Sequence, residues 1–179
     1  MRGSGPVQAV LGGVFLIPLA IGVFLVGAST KRSAHANQVS RDLASMYAQG
    51  VDFSQANNQS IAMQLLDAGE GSGMILLTRM HTVTDSDCGP APASDCVNSG
   101  YAVIVQRIVI GDASLHPSSL GTPASIDRRT GNVLNWARDI SARVADPSVN
   151  MRAGESAVAA ETFLSSPDDK TGVYARTVF

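Results

Sequence analysis

The chain has 179 residues, of which 45% are hydrophobic, and its formal net charge is −2. This length suits one compact domain with an appendage and disfavours two globular domains. Thirteen Lys and Arg residues against fifteen Asp and Glu leave no basic surplus for a phosphate backbone, which argues against nucleic acid as a partner.

The first predicted element is a membrane-spanning helix over residues 4–30, preceded by a short leader at residues 1–3. No charged side chain occurs from Gly3 to Thr30, and about 20 apolar residues suffice to cross a bilayer core. A signal peptide cleaved after Ala36 is the alternative, because Ala34-His35-Ala36 has the A-x-A pattern. The apolar run is longer than a signal-peptide core, and Lys31-Arg32 would stand in a normally uncharged cleavage region. A retained helix is therefore the preferred prediction.

Small residues gather on one side of this helix when it is turned at about 100° per residue. Such a side lets helices approach closely in lipid, although glycine is also simply common in membrane helices. Leu16 and Val23 interrupt this small-residue face. Its members are Gly5, Ala9, Gly12, Gly13, Ala20, Gly27 and Ala34. We treat it as a candidate helix-packing surface.

The helix is predicted to continue over residues 31–50 as an amphipathic extension. Apolar residues recur there at spacings of three and four, which is the period of one helix face. This stripe points roughly opposite the small-residue face, so it is expected to pack on the chain's own domain. Its members are Ala36, Val39, Leu43, Met46, Tyr47 and Gly50.

A second, short helix is predicted at the start of the domain that occupies residues 51–179. Asp52 and Ser54 are candidate N-terminal caps. The apolar residues of the helix are Ile61, Met63, Leu65 and Leu66, and Gly69, Gly71 and Gly73 end it. These glycines lack the strand, helix and Lys-Ser/Thr context of a phosphate-binding loop, so they indicate only a flexible corner.

Four segments rich in branched residues predict antiparallel strands, at residues 74–83, 101–110, 155–166 and 173–179. Between the second and third strands no period is evident, and the residues around Trp136 form either a short helix or an irregular crossing against the sheet. The predicted fold class is α+β, with about four strands packed on the extramembrane half of a long N-terminal helix, in the shape of a pilin-like lollipop.

The loop between the first two strands contains both cysteines of the chain. Cys88 and Cys96 are eight positions apart in a Pro-, Gly- and Asp-rich segment that can close into a ring. A disulfide is predicted, with two unpaired thiols as the alternative, and it requires an oxidising compartment. The positive charges oppose a domain in an oxidising compartment. Lys31, Arg32 and Arg41 follow the apolar run and would hold the domain in the cytoplasm.

The sequence offers no catalytic pattern, so no enzyme, cofactor or metal is expected. The histidines His35, His81 and His116 are scattered, without metal-ligand spacing. Three aspartates flank the cysteines and could collect calcium, but the regular spacing of a calcium loop is missing, and a solvated turn is the preferred interpretation. These aspartates are Asp85, Asp87 and Asp95.

The opening Gly3-Ser4-Gly5-Pro6-Val7-Gln8, followed by a long apolar helix, resembles the TadE-like family of pseudopilins. These are minor pilin-like proteins of tight-adherence (type IVb) pilus systems. Members typically open with a short basic leader, then Gly-Ser-x-x-Val-Glu, then the membrane helix. Gln8 departs from the family pattern, which usually has Glu there. The strands joined by a Cys loop, the run Arg152 to Glu155 and Glu161 in a strand are similar to the family's C-terminal region.

The resemblance implies a structural role without catalysis. A prepilin peptidase would cleave between Gly3 and Ser4, leaving a single-pass protein in the bacterial inner membrane with its domain in the periplasm. From there the subunit could enter an extracellular filament. The implied partners are other pilin-like subunits, the prepilin peptidase and the inner-membrane assembly platform. The alternative function is a secreted or singly anchored periplasmic binding domain.

Overall fold

The computed structural model describes residues 5–67, 73–89, 96–165 and 172–179, with side chains from residue 14 onward. A long helix comes first, followed by a short helix and four strands. Two single turns of 3-10 helix, Asp85–Cys88 and Ile140–Ala142, lie in the connections. The main elements are α1 (Gly5–Ala48), α2 (Ala56–Asp67), β1 (Gly73–Thr82), β2 (Ala102–Gly111), β3 (Ser156–Leu164) and β4 (Val173–Val178).

Helix α1 has two halves with different surroundings. Its 44 residues span about 66 Å. All side chains from Val14 to Lys31 are exposed, whereas the later stripe is buried, with Leu43 fully covered. By length and composition α1 can cross a membrane. The predicted lollipop arrangement is therefore confirmed, with the helix as stem and the sheet as head.

The four strands form one antiparallel sheet in the order β2-β1-β3-β4. In its centre Leu77 of β1 lies between Ile108 of β2 and Ala160 of β3. At the edge of the sheet, Thr162 of β3 faces Ala175 of β4. The strand bounds differ from the predicted ones by at most two residues.

Each face of the sheet has its own apolar core. Helices α1 and α2 cover one face, where Ile75 and Leu77 meet the buried stripe of α1. The irregular segment 112–151 covers the other face, where Met80 and Leu120 are buried together. The sheet is therefore buried on both sides, which explains why its central strands are apolar almost throughout.

The buried face of α2 differs from the predicted set of apolar residues. Ala62 and Leu66, one turn apart, face the core, whereas Ile61 is 45% exposed. One residue step turns a helix by about 100°, so Ile61 cannot share a face with Ala62. Asp52 also differs from a helix cap: its Oδ1 accepts hydrogen bonds from the N–H and hydroxyl of Ser54 at 2.9 and 2.6 Å, in a turn that precedes the helix.

The segment around Trp136 is an irregular crossing against the sheet, which was one of the two predicted alternatives; it is not a short helix. It approaches the β2 edge closely at Gly131, which has a φ of 71°. A Cβ there would lie 2.5 Å from the carbonyl oxygen of Arg107, so glycine is required by both conformation and space. The Arg107 N–H donates to the Gly131 carbonyl at 2.7 Å, which ties the crossing to β2.

Candidate functional site: the exposed helix and the disulfide tip

The predicted processing residues lie at or before the start of the structure. Gly3 and Ser4 fall outside the described residues. Gln8 and four members of the small-residue face belong to α1, in a stretch whose side chains are not among those described. These four are Gly5, Ala9, Gly12 and Gly13.

The later members of the small-residue face are exposed. Ala20, Gly27 and Ala34 repeat at intervals of seven and all three are exposed. A Cβ added at Gly27 would meet nothing within 4 Å. Leu16 and Val23, which interrupt this face, are each 66% exposed. From Val14 to Lys31, α1 is thus open to lipid or to other helices.

Polar contacts as well as apolar ones hold the second half of α1 on the sheet. The Ser40 hydroxyl donates to the Ala160 carbonyl at 2.8 Å. The Tyr47 hydroxyl donates to Oε1 of Gln106 at 2.7 Å, and the Arg79 guanidinium lies 5.0 Å from the centre of the Tyr47 ring. These contacts fix how the helix is rotated, and therefore which side of its first half faces away from the domain.

The predicted disulfide joins Cys88 and Cys96, whose Cα atoms are 5.6 Å apart. It lies in the turn between β1 and β2, in a region that we call the disulfide tip (residues 84–89 and 96–101). Both cysteines are buried, and they pack with Met80 and Val103 on the outer side of the sheet. The bond therefore connects the tip to the core of the domain.

The aspartates of the tip satisfy its own turn. Oδ2 of Asp87 accepts the N–H and the hydroxyl of Thr84 at 2.7 and 2.6 Å. These hydrogen bonds lower the pKa of Asp87 to about 2. Asp85 accepts the Ser99 hydroxyl at 2.7 Å, and Asp95 is outside the described residues. Within the described ranges, no three His, Cys, Asp or Glu side chains are grouped to hold a metal ion.

A buried asparagine connects the tip to the crossing segment. The Asn98 side-chain amide donates to the carbonyls of Trp136 and Asp139, both at 2.7 Å. Its oxygen accepts from Nε of Arg143 at 2.8 Å, and the Arg143 guanidinium lies 3.7 Å from the centre of the Tyr101 ring. No sequence pattern predicted this role for Asn98, because its partners are about 40 positions away.

A constellation that no sequence pattern predicted lies beside the tip. His81 Nδ1 lies 3.0 Å from the Ser156 hydroxyl oxygen, and His81 Nε2 lies 3.0 Å from Oδ2 of Asp87. The Trp136 indole and the His81 ring meet edge to face, with their centroids 5.7 Å apart. Ser156 is 75 positions from His81 and becomes its neighbour only through the pairing of β3 with β1.

A second polar cluster lies on the outer face of the sheet around Glu161, which is 1% exposed. Its carboxylate accepts the Ser118 and Tyr174 hydroxyls, both at 2.6 Å, and the N–H of Ser119 at 2.8 Å. Burial favours the neutral acid, but these hydrogen bonds outweigh it and hold the pKa of Glu161 below its usual value. Burial and the hydrogen bond to Glu161 raise the pKa of Tyr174 to about 12. The cluster fastens the crossing segment to β3 and β4.

Arg107 is the second buried charge on this face. Its Nε donates to the Thr78 hydroxyl at 3.3 Å, and Nη1 donates to the Gly121 carbonyl. Burial lowers the pKa of Arg107, and the negative charge of Glu161 opposes that shift. Both charges bind residues of the same domain, so we assign this cluster a structural role.

No family model, curated protein or solved structure matches this chain.

Proposed function

We propose that this protein is a structural pilin-like subunit, a minor pseudopilin of TadE-like type in a type IVb pilus or a related secretion filament. One observation carries the proposal: α1 is exposed on every side from Val14 to Lys31, while its second half is part of the domain core. A helix that is apolar all round needs lipid or other helices around it. Its role is mechanical, since neighbouring subunits would use this half as a common stem.

The burial of Ala36 supports retention of the stem. Ala36 is 0% exposed in the core between α1 and the sheet. Signal-peptide cleavage after Ala36 would cut α1 inside this buried stretch and remove His35, whose Nε2 lies 3.1 Å from the Leu65 carbonyl. These contacts favour the subunit over the alternative, a secreted binding domain that begins at Asn37.

The disulfide supports an orientation with the domain outside the cytoplasm. A bond between Cys88 and Cys96 persists in an oxidising compartment such as the bacterial periplasm. The positive charges of Lys31 and Arg41, which favour the cytoplasm, oppose it. We give the disulfide more weight because it is built into the domain core. The proposed location is the inner membrane, with the domain periplasmic or, after assembly, extracellular.

The proposed partners follow from the stem. Other pilin-like subunits would pack along the small-residue face, including Ala20 and Gly27. A prepilin peptidase would cut after Gly3, and the inner-membrane assembly platform would receive the mature subunit. In pilins, Glu at the position of Gln8 is thought to pair with the amino terminus of a neighbour. The neutral amide of Gln8 favours a place where that pairing is dispensable, such as a capping or priming subunit.

The mature N-terminus tests this proposal. Intact-mass analysis of the protein from its native membrane should give Ser4 as the first residue, and the Gly3→Leu variant should stay uncleaved. Gly22→Leu is the matched control, because Gly22 lies in α1 with open space around it and away from the cleavage site. A mature protein beginning at Asn37 would show a signal peptide, and one beginning at Met1 a plain anchor; either result would contradict the proposal.

A further inference from the structure

The contact between His81 and Ser156 follows from strand geometry. The two residues face each other across β1 and β3. In the next pair along the strands, the Thr82 N–H donates to the Glu155 carbonyl at 2.9 Å, so Thr82 and Glu155 are the hydrogen-bonded pair. His81 and Ser156 are therefore a non-hydrogen-bonded pair, the kind in which opposite side chains stand closest. The backbone itself holds the hydroxyl beside the imidazole.

Asp87 determines which nitrogen of His81 bears the hydrogen. Its carboxylate is ionised at neutral pH, because the Thr84 hydrogen bonds lower its pKa to about 2, and an ionised carboxylate only accepts. His81 Nε2, at 3.0 Å, must therefore be the donor. In a neutral imidazole the other nitrogen is then an acceptor, so Nδ1 accepts the hydroxyl hydrogen of Ser156.

We propose that Ser156 is a nucleophilic serine that takes the acyl group of small carboxylic esters, with His81 as its general base and Asp87 as the residue that positions His81. A hydroxyl bonded to a neutral imidazole, which is in turn bonded to a carboxylate, is the arrangement that activates serine in acyl transfer. Here Nδ1 faces the serine and Nε2 faces the carboxylate, the reverse of the more usual arrangement. The proton still passes from the serine hydroxyl to the imidazole. This activity is additional to the structural role and does not depend on it.

The reaction uses only these groups and the ester. Ser156 Oγ bonds to the carbonyl carbon while its proton passes to Nδ1 of His81, and Asp87 stabilises the resulting imidazolium. The tetrahedral intermediate then loses the alcohol, which takes the proton from Nδ1, and the acyl group stays on Ser156. Water attacks the acyl-serine by the same route and regenerates the hydroxyl.

The surroundings of the three residues suit a small ester. Ser156 is exposed, and the His81 and Asp87 side chains are 20% and 26% exposed, so a reagent can reach them from solvent. Trp136 and Asp87 flank His81 and also line a cleft of about 330 Å³. The indole supplies an apolar wall for an acyl or alcohol group. The cleft is small and open, so it suits a small ester rather than a large substrate.

A donor for the developing oxyanion is present on Ser156 itself. On β3, Val158 exchanges hydrogen bonds with Phe179 on the β4 side, at 2.8 Å each. Ser156 lies two residues earlier, so its N–H points to the same side. Among the described residues none pairs with it there. That N–H is available to the carbonyl oxygen as negative charge forms on it.

An alkyl fluorophosphonate tests the nucleophile on the full chain in detergent micelles. The reagent forms an Oγ–P bond, loses fluoride and marks the serine by mass. We expect an adduct on Ser156, none in Ser156→Ala, and labelling about 100-fold slower in His81→Gln, which is the lower range of a general-base contribution. Absence of the Ser156 adduct, or equal rates in the wild type and His81→Gln, would overturn the proposal.

Ser99 is the internal control, because its hydroxyl donates directly to Asp85 without an imidazole. The ratio of Ser156 to Ser99 labelling in one sample corrects for any loss of fold in a variant. Added imidazole should restore labelling in His81→Ala, and Asp87→Glu should retain more labelling than Asp87→Asn. A ratio near one in the wild type would show ordinary surface serines, and failure of both rescues would remove His81 and Asp87 from the mechanism.

Discussion

The two halves of α1 show how one continuous helix can serve two environments. Leu25 in the first half is 62% exposed, whereas Leu43 in the second half is 0% exposed and packs on the sheet. Both halves are rich in apolar residues, so composition alone does not decide burial. The second half carries a stripe with polar residues opposite, and the first half is apolar all round. The domain therefore depends on the second half, and the exposed first half is left to lipid or to other helices.

Matched leucine substitutions give the largest expected difference between the halves. Leu43→Ala should lower the free energy of unfolding of the domain by about 2–5 kcal/mol, because it leaves a cavity between α1 and the sheet. Leu25→Ala should change it by less than about 0.5 kcal/mol. Urea unfolding in micelles, followed by Trp136 fluorescence, measures both. Equal losses would show that the domain also depends on the first half.

Removing the disulfide tests whether the tip, like the second half of α1, contributes to the free energy of unfolding of the domain. The double variant Cys88→Ser/Cys96→Ser should lower the free energy of unfolding by about 2–4 kcal/mol, because the unfolded chain gains freedom. Thermal unfolding of the wild type with and without reductant should give the same shift. In the native protein both cysteines should resist alkylation until reduced. Ready alkylation without reductant would contradict the disulfide.

Glu161 tests the outer face of the sheet, opposite the helix. Glu161→Gln should lower the free energy of unfolding by about 1–3 kcal/mol, since buried hydroxyl and N–H donors lose a charged acceptor. Glu155→Gln is the control, because the Glu155 side chain is exposed and its carboxylate accepts the Arg152 N–H, at 2.7 Å. Denaturant titrations at neutral pH compare the two variants.

The same carboxylate gives a pH dependence with a defined sign. The folded pKa of Glu161 is below its value of 4.5 in an unfolded chain. Its contribution is therefore complete above that unfolded value and is lost as the pH falls through the folded pKa. Acid should destabilise the wild type more than Glu161→Gln. An identical acid dependence in both would contradict an ionised, hydrogen-bonded Glu161.

Ser40 gives the smallest expected effect in the second half of α1. Ser40→Ala should cost about 1 kcal/mol, because it removes the hydrogen bonds to the Ala160 carbonyl and to the Thr177 hydroxyl at 2.8 and 3.1 Å. Gln38→Ala, at an exposed position of the same helix, should cost less. The same urea titration resolves the two variants. No difference between them would mean that the hydrogen bonds of Ser40 do not help to hold the helix on the sheet.

Local periodicity predicted much of this fold. The spacing of Val39, Leu43 and Tyr47 predicted the buried stripe, and alternation and branching predicted four strands close to their observed bounds. It was wrong at Ile61, where residues that are adjacent in sequence face different directions on the helix. Patterns with a short repeat are readable because they depend on the geometry of one element alone.

The polar clusters could not be predicted in this way. The serines at Glu161 are 42 and 43 positions away, and Ser156 reaches His81 only through the register of β1 and β3. Local spacing in the sequence therefore predicted no catalytic site. Contacts that depend on strand pairing carry no such signal, since a shift of register by one residue would separate the same side chains.

Cross-linking through α1 tests the central claim, that the small-residue face of the exposed half packs on other subunits. Gly27→Cys and Gly22→Cys place a thiol on different sides of α1, each with open space around it. In native membranes, mild oxidation should join Gly27→Cys to the same thiol of a second copy of the variant in a disulfide, and Gly22→Cys should form much less of this product. Equal products from both positions, or none from Gly27→Cys, would contradict the claim.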